Sequence, residues 1–385
     1  MGLRKGLMAE LDHASEDATV FMKPGGLVAP AAVDDIGHYL VVLDGQVPPR
    51  RIALDHLPLT VGRASPPADL VLAGGDVSRR HCTFDLDGDR LVVTDLGSTN
   101  GTFVEGERLA SPAILQDGVL LRIGAHDLRY ERRSRRDIAL SEELDKDLEQ
   151  AQQYVLAVLP PPLTTGPVQV DWVYVPCARL AGDAFGYQRV DARTFTGFVF
   201  DVSGHGVSAA VHAVAVANVL RQQALPGVDF RDPSQVLCSL NSMFQMDTHN
   251  ELFFTVFYWV FDLETRLLTY CSAGHHPAFL MPPGGGEPAP LWTRNPAAGM
   301  MPDRAYSAAS TTVPPGSHLY LFSDGAFEIE TADGKQWGLD DFLPLLRDST
   351  GTAAGEPQRL YAAVRKVARP GPLDDDFSAV VIAFP

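Results

Sequence analysis

Cysteine is scarce. The chain has four in 385 residues, at 82, 177, 238 and 271, and no two stand in a C-x-x-C spacing. This argues against a disulfide framework or a cysteine-based zinc site and fits a reducing compartment. Long apolar runs are also missing. The stretches Ala213 to Ala217 and Leu252 to Phe261 are far shorter than a bilayer span. Basic residues are outnumbered: 31 Lys and Arg face 48 Asp and Glu, for a formal charge of −17. Nonspecific binding to nucleic acid or to an anionic membrane needs the opposite sign, so neither is expected. Arg4 and Lys5 are followed by no apolar segment, so no signal peptide is expected and a cytoplasmic location is. There is no internal repeat.

What is present is enough hydrophobic material, 45% of residues, for cores in two or three domains. Residues 1–37 mix acidic, Ala, Gly and Pro residues without a period and read as a flexible segment. Over 38–131 short alternating runs are split by turn residues. Asp87-Gly88 between two such runs is a hairpin signal, and the close strand spacing predicts an all-β sandwich. A basic knot follows at Arg132, Arg133, Arg135 and Arg136. Apolar residues at Ile138, Leu140, Leu144, Leu148, Ala151, Val155 and Leu159 then predict an amphipathic helix over 137–159, stopped by Pro160-Pro161-Pro162. With its flanks it forms a helical linker over 132–160. It reads equally as a connector on its own domain and as a surface pairing with a second copy. Over 161–385 strands and helices mix without regular βαβ alternation, which predicts an α+β layered domain. Helices are expected over 207–221 and 233–246. Cys177 and Cys271 read as buried strand residues.

Three clusters in the β region sit where strands give way to loops: Gly62-Arg63, Ser78-Arg79-Arg80-His81 and Gly97-Ser98-Thr99-Asn100-Gly101. Guanidinium, hydroxyl and amide together suit a phosphate dianion. Taken singly, each cluster reads as a tight turn with solvated arginines, and His81 as a structural histidine. Taken in order, with Val61-Gly62-Arg63 and Leu96 through Val104, they resemble the forkhead-associated (FHA) domain. The resemblance implies an eleven-stranded sandwich that binds phosphothreonine peptides. Arg63 and Ser78 would contact the phosphate, Arg79 and Thr99 would assist, and Asn100 would hold the peptide backbone. Glu105 stands where that family often has asparagine.

The C-terminal region places aspartates at strand ends: Asp183 after Gly182, Asp201 after Phe198-Val199-Phe200, Asp324 after Leu319 to Phe322, and the run Asp374-Asp375-Asp376. A carboxylate at the end of a buried strand is costly unless a cation meets it, and hard divalent ions prefer such oxygens. Each position alone could be a helix cap, an Asp-Gly turn or a solvated acidic loop. Together, Ala181-Gly182-Asp183, Asp201-Val202-Ser203-Gly204-His205-Gly206, Ala273 to Pro277, Ser323-Asp324-Gly325 and Asp375 to Ser378 resemble the SpoIIE-like branch of the PPM serine/threonine protein phosphatases. The resemblance implies an α-β-β-α sandwich and hydrolysis of phosphoserine or phosphothreonine with two divalent cations, Mn2+ or Mg2+. Asp201 would bridge both, the Val202 carbonyl would contribute, and Asp183, Asp324 and Asp375 would complete the ligands. Gly186 replaces a frequent aspartate of that branch. His205 and His275 are read as packing residues rather than acids. The partners implied are a phosphoserine anti-sigma-factor antagonist as substrate, a phosphothreonine protein such as a kinase or scaffold, and a second copy through the linker helix. A non-enzymatic adaptor is the competing class, and a different metal hydrolase a third.

Overall fold

The computed structural model describes residues 35–43, 50–348 and 351–385. The chain divides into two compact units, Met1–Glu143 and Leu144–Pro385. The segment 1–37 lies outside the described residues apart from its last three.

The first unit has eleven strands among its described residues: β1 (Ile36–Val42), β2 (Arg51–Ala53), β3 (Leu59–Gly62), β4 (Leu70–Val71), β5 (Cys82–Asp87), β6 (Arg90–Asp95), β7 (Thr102–Val104), β8 (Glu107–Arg108), β9 (Ala113–Ile114), β10 (Leu120–Ile123) and β11 (His126–Ser134). They form a six-stranded sheet, β2-β1-β11-β10-β7-β8, and a five-stranded one, β4-β3-β5-β6-β9. Alternation along β6 and β10 turns Leu91, Val93, Leu121 and Ile123 inward, where they meet Leu40, Val61, Phe84, Leu128 and Tyr130. The hairpin signal at Asp87-Gly88 joins β5 to β6, with Asp87 paired to Arg90 and Gly88 at φ 67°. The sandwich reaches beyond residues 38 and 131, because Ile36 pairs with Ser134 and Gly37 with Arg133. Part of the expected linker is therefore strand.

Helix α1 (Arg135–Val158) starts where the Ser134 hydroxyl accepts from the Asp137 N–H and stops ahead of the prolines. Only Val158 on it is buried. The second unit continues with β12 (Gln169–Val175), β13 (Asp183–Arg189), β14 (Thr194–Val202), α2 (Val207–Arg221), α3 (Pro233–Met243), β15 (Phe254–Asp262), β16 (Leu267–Ala273), β17 (Ala278–Met281), β18 (Ala289–Leu291), β19 (Ala309–Thr312), β20 (Ser317–Phe322), α4 (Leu339–Arg347), α5 (Glu356–Val367) and β21 (Phe377–Phe384). Helix α3 is shorter than its expected span. Asp232 caps its start, and at Phe244 the backbone leaves the helical region.

Two five-stranded sheets result, β13-β14-β15-β16-β19 and β12-β21-β20-β17-β18. Helix α2 packs on β13 and β14, α3 on β15 and β16, and α5 on β12 and β21. On β20, Leu319 and Leu321 join the core shared with the first sheet, while Tyr320 and Phe322 join the core under α4 and α5. Val380 and Ile382 of β21 face the first core, Ala379 and Val381 the second. Strands covered on both faces read as continuous apolar runs, which is why alternation fails to mark them. No helix among the described residues is long and apolar enough to cross a membrane.

Glycine keeps β13 and β14 close. A Cβ at Gly197 would lie 2.6 Å from the Trp259 ring and 2.8 Å from the Gly186 carbonyl oxygen. Gly197→Val is expected to destabilise the second unit by roughly 1–3 kcal/mol through overpacking, read as a fall in Tm by calorimetry.

Candidate functional sites

In the first unit, β3 ends by delivering Arg63. A Cβ at Gly62 would lie 2.1 Å from the Arg79 carbonyl oxygen, so only glycine lets the 76–81 loop cross there. The Arg63 N–H donates to the Ser78 carbonyl (3.1 Å) and the His81 N–H to the Val61 carbonyl (2.8 Å). The Ser78 hydroxyl oxygen accepts from the Thr99 N–H at 3.1 Å, and the Asn100 side chain donates to the Asp76 carbonyl at 2.8 Å. Buried His81 accepts from the Ser78 N–H on Nδ1, which puts its proton on Nε2, 3.1 Å from the Gly101 carbonyl. It ties two loops together, as a structural histidine does.

The 97–101 turn winds around Asp95. That carboxylate accepts from the Gly97 and Ser98 N–H groups and from the Ser98 and Thr102 hydroxyls, at 2.7–2.9 Å. Burial opposes its charge, but these hydrogen bonds outweigh burial and hold its pKa below the usual carboxylate range. The result is a cavity of about 650 Å³ lined by Arg63, Ser78, Arg79, Arg80, Thr99 and Asn100. All five residues expected on the sequence meet there, and Arg80 joins them. The three arginines are exposed.

In the second unit, the β13–β14 register sets Asp183 opposite Asp201, and β15 sets Thr255 beside Asp201. From the other sheet, β20 runs out into Asp324, and Asp375 and Asp376 precede β21. A Cβ at Gly325 would lie 2.2 Å from the Asp376 carbonyl oxygen, so the Asp324-Gly325 turn and the acidic run cross at backbone contact. The Ser378 hydroxyl donates to Asp183 Oδ2 at 2.6 Å and joins the two sheets. Asp376 accepts from the Cys177 and Gly182 N–H groups, both at 2.9 Å, and so fixes the loop that delivers Asp183. The Ser323 hydroxyl donates to the Asp376 carbonyl and accepts from the Ser378 N–H. Val202 is buried beside this loop, and a Cβ at Gly182 would lie 2.9 Å from its carbonyl oxygen.

Burial, then the charges of Asp201 and Asp376, pushes the Asp183 pKa well above the usual range. Asp201 is pushed up to about 8 by burial and by Asp324, Asp375 and Asp376. Burial, Asp375 and Glu328 push Asp324 up to about 6. Burial also raises Asp375. Among the described residues no arginine or lysine forms an ion pair with any of the four. Beside them lies a cavity of about 200 Å³ lined by Asp201, Thr255, His275, His276, Asp324 and Glu328. Oxygen-only donors that repel one another, without a protein cation, fit Mg2+ or Mn2+.

Cys177 offers a ligand atom within 4.8 Å of Asp375 and Asp376, yet this trio suits a metal poorly. Both Asp376 oxygens are engaged, and burial and Asp376 push the Cys177 thiol up to about 12. Cys177 lies in the 176–182 loop rather than on a strand, and only half buried, contrary to expectation. Its place is set by the N–H bond to Asp376, 199 residues away. Cys271 is a buried strand residue. At Gly186 a Cβ would lie 2.5 Å from the Phe198 ring, so that ring fills the space an aspartate would need. His275 is buried with Nδ1 2.9 Å from the His276 carbonyl, and burial holds its pKa well below its usual value. His205 is exposed ahead of α2.

Raised carboxylate pKa values make the cation-free fold pH-sensitive. The native state holds protons the unfolded chain has released, so stability falls as pH rises toward the native pKa values. Buried neutral histidines act oppositely, but only below about pH 6.5. Between pH 6.5 and 8, in EDTA, stability is expected to fall by roughly 1–2 kcal/mol through Asp201 alone. Urea melts at several pH values check this. Asp201→Asn should flatten the slope, and Mn2+ should restore stability most at the upper end.

The family model described as Stage II sporulation protein E (SpoIIE) matches residues 191–385, and that described as FHA domain matches 59–124. The first stretch holds Asp201, Val202, Asp324 and Asp375, and the second holds Arg63, Ser78, Arg79, Thr99 and Asn100. Over 187 residues the chain is 27% identical to Phosphoserine phosphatase RsbP of Bacillus subtilis, covering 48% of this chain and 45% of that protein. Over 86 residues it is 37% identical to FHA domain-containing protein FhaB of Mycobacterium tuberculosis, covering 22% and 55%. The chain thus spans about half the length of these relatives. The SiaA-PP2C domain of Pseudomonas aeruginosa superposes with a TM-score of 0.57 at 21% identity, over 64% of this chain and 99% of that domain, a likeness of fold. Sequence match, layer order and the gathered aspartates agree: the chain belongs to the SpoIIE family, with a PP2C-like domain preceded by an FHA domain.

Proposed function

We propose that the chain is a phosphoprotein phosphatase that hydrolyses phosphoserine or phosphothreonine with two divalent cations, Mn2+ or Mg2+. Asp183, Asp201, the Val202 carbonyl, Asp324 and Asp375 would hold them. The observation that carries this reading is the convergence, from two sheets, of carboxylates whose charge no protein cation offsets. Ions bound there supply a water activated near neutral pH and offset the charge of the phosphate. The chain's own residues set the geometry. Ser378 holds one oxygen of Asp183, and Asp376 anchors the loop before it. Apolar burial of β14 and β20 behind Asp201 and Asp324 keeps their carboxylates from retreating into solvent.

The FHA domain, in the same proposal, holds a phosphothreonine protein such as a kinase or scaffold in the 650 Å³ pocket. The resemblance to the SpoIIE-like branch supports an anti-sigma-factor antagonist as the phosphoserine substrate. Leu140, Leu144 and Tyr154 on α1 are 54%, 60% and 66% exposed, which supports pairing with a second copy along that helix.

Hydrolysis of a phosphoserine peptide with Mn2+ or Mg2+, against EDTA, tests the enzyme. Turnover is expected only with metal and should drop roughly 100-fold or more in Asp201→Asn, which removes one of the carboxylates that would hold the ions. Arg63→Ala should abolish phosphothreonine-peptide binding while hydrolysis of a small phosphoester continues. No turnover in the folded protein with either metal, with or without a phosphothreonine peptide, would return the chain to the adaptor class.

A further inference from the structure

Beside the end of α1, two cavities share a wall. The first, of about 450 Å³, is faced with Pro160, Pro161, Leu163, Tyr187 and Phe195. The second, of about 400 Å³, adds Asn218, Arg221 and Gln222 at the end of α2. Pro160, Pro161, Tyr187 and Gln188 line both, so the two form one cleft. Its shared wall is held in place. The Tyr187 hydroxyl donates to the Pro161 carbonyl at 2.7 Å, and its ring stacks on Phe195 with centroids 6.5 Å apart. Gln188 donates to the Leu220 carbonyl at 3.1 Å. Arg221 donates one N–H to the Val158 carbonyl at 2.7 Å, which fixes its head and leaves most of its donors over. Arg189, on the first cavity, meets only the Ala192 carbonyl at 3.5 Å. Arg179, Arg193, Arg231, Arg347 and Arg369 of the same unit each pair with an acid. Among the described residues Arg189 and Arg221 have no such partner, and no aspartate or glutamate lines either cavity. The cleft is separate from the metal site. β13 runs 7 residues from Asp183 to Arg189, which at about 3.3 Å per residue sets the two roughly 20 Å apart.

We propose that this cleft binds a small organic anion with a planar ring. The ring lies against Tyr187 and the prolines, and the anionic group, a carboxylate or a phosphate, sits on Arg221 beside Asn218. A cavity of this size, faced with aromatic and apolar side chains and a few directed polar groups, is the usual form of a small-molecule site. A guanidinium fixed through one N–H and lacking an acid presents the fork that carboxylate and phosphate both accept. The Asn218 amide adds a donor with no protein partner among the described residues. Neither the hydrolysis proposed above nor phosphothreonine binding uses this cleft.

Isothermal titration calorimetry on the full chain tests it, in Mn2+ and again in EDTA. AMP and indoleacetate carry both ring and charge. Adenosine carries the ring alone, and ribose phosphate the charge alone. At least one of the ring-bearing anions is expected to bind in both buffers, roughly 10-fold or more tighter than either single-feature probe. Binding of AMP alone marks phosphate as the source, and binding of indoleacetate alone marks the carboxylate. Arg221→Gln should weaken that binding roughly 10-fold or more. Ala157→Trp should do the same by filling the cleft from the exposed side of α1, and it decides the matter if Arg221→Gln does not fold. Arg63→Ala should leave the affinity unchanged. The proposal is overturned if neither ring-bearing anion binds, or if affinity survives in Ala157→Trp or in a folded Arg221→Gln. Binding confined to Mn2+ overturns it too, since the ligand would then sit on the metal. Loss in Arg63→Ala does the same, since the FHA pocket would then be the site.

Discussion

Uncompensated negative charge is the constraint around which the C-terminal domain is organised. Asp183 and Asp201 face each other across β13 and β14, and Asp324 and Asp375 arrive from the other sheet. Bringing such groups together is costly unless something of opposite sign is present, most of all at Asp183, which is buried from water. The fold carries that cost on rigid parts. β20 and β21 are covered on both faces; the Ser378–Asp183 bond joins the ends of the two sheets, and the Ser323–Asp376 bond ties β20 to β21 within one. Loops alone would let the carboxylates separate. Strand ends with apolar side chains behind them do not.

The two domains use the same device with opposite sign. Among the described residues, the three arginines of the FHA pocket have no ion-paired carboxylate, and the four carboxylates of the PP2C-like domain have no ion-paired arginine or lysine. Elsewhere many charges are matched locally. The basic knot after the sandwich shows the contrast: Arg132 pairs with Asp89, Arg133 with Asp117, and Arg135 with Asp35 and Asp55. Three of the four arginines in that basic run are thus paired with acids of their own domain. Local mismatch of charge, more than the amount of charge, marks where a ligand belongs.

Much of this was legible in the sequence because it is written in short segments. The turn at Gly88, the loops carrying Arg63, Ser78 and Asn100, and the aspartates at strand ends each depend on a few neighbouring residues. What stayed hidden depends on partners far away in the chain. Ser378 meets Asp183 across 195 residues and Asp376 meets Gly182 across 194, and no local pattern announces either bond. Cys177 looked like a strand residue because apolar neighbours precede it, yet a tertiary hydrogen bond holds it in a loop. Asp95 ends β6 and organises the whole 97–101 turn, a role that nothing in its immediate sequence marks. Gly186 could be read only as a departure until the Phe198 ring was found in its space.

The acidic run 374–376 shows how position separates residues of identical chemistry. Asp374 pairs with Arg369 and accepts from the Glu330 N–H, closing a surface loop. Asp376 is buried and gives both oxygens to backbone donors of the 176–182 loop. Asp375, between them, accepts only the Asp376 N–H and so keeps an oxygen without a protein partner among the described residues. A ligand for a cation must be fixed and yet unsatisfied. The neighbours achieve this for Asp375: one anchors the chain to the surface, the other to the interior, and the residue between them is rigid with a lone pair to spare. Asp183 is fixed as well, its Oδ2 held by the Ser378 hydroxyl. A run that would pass for a solvated acidic loop is thus two structural carboxylates flanking the one proposed as a ligand.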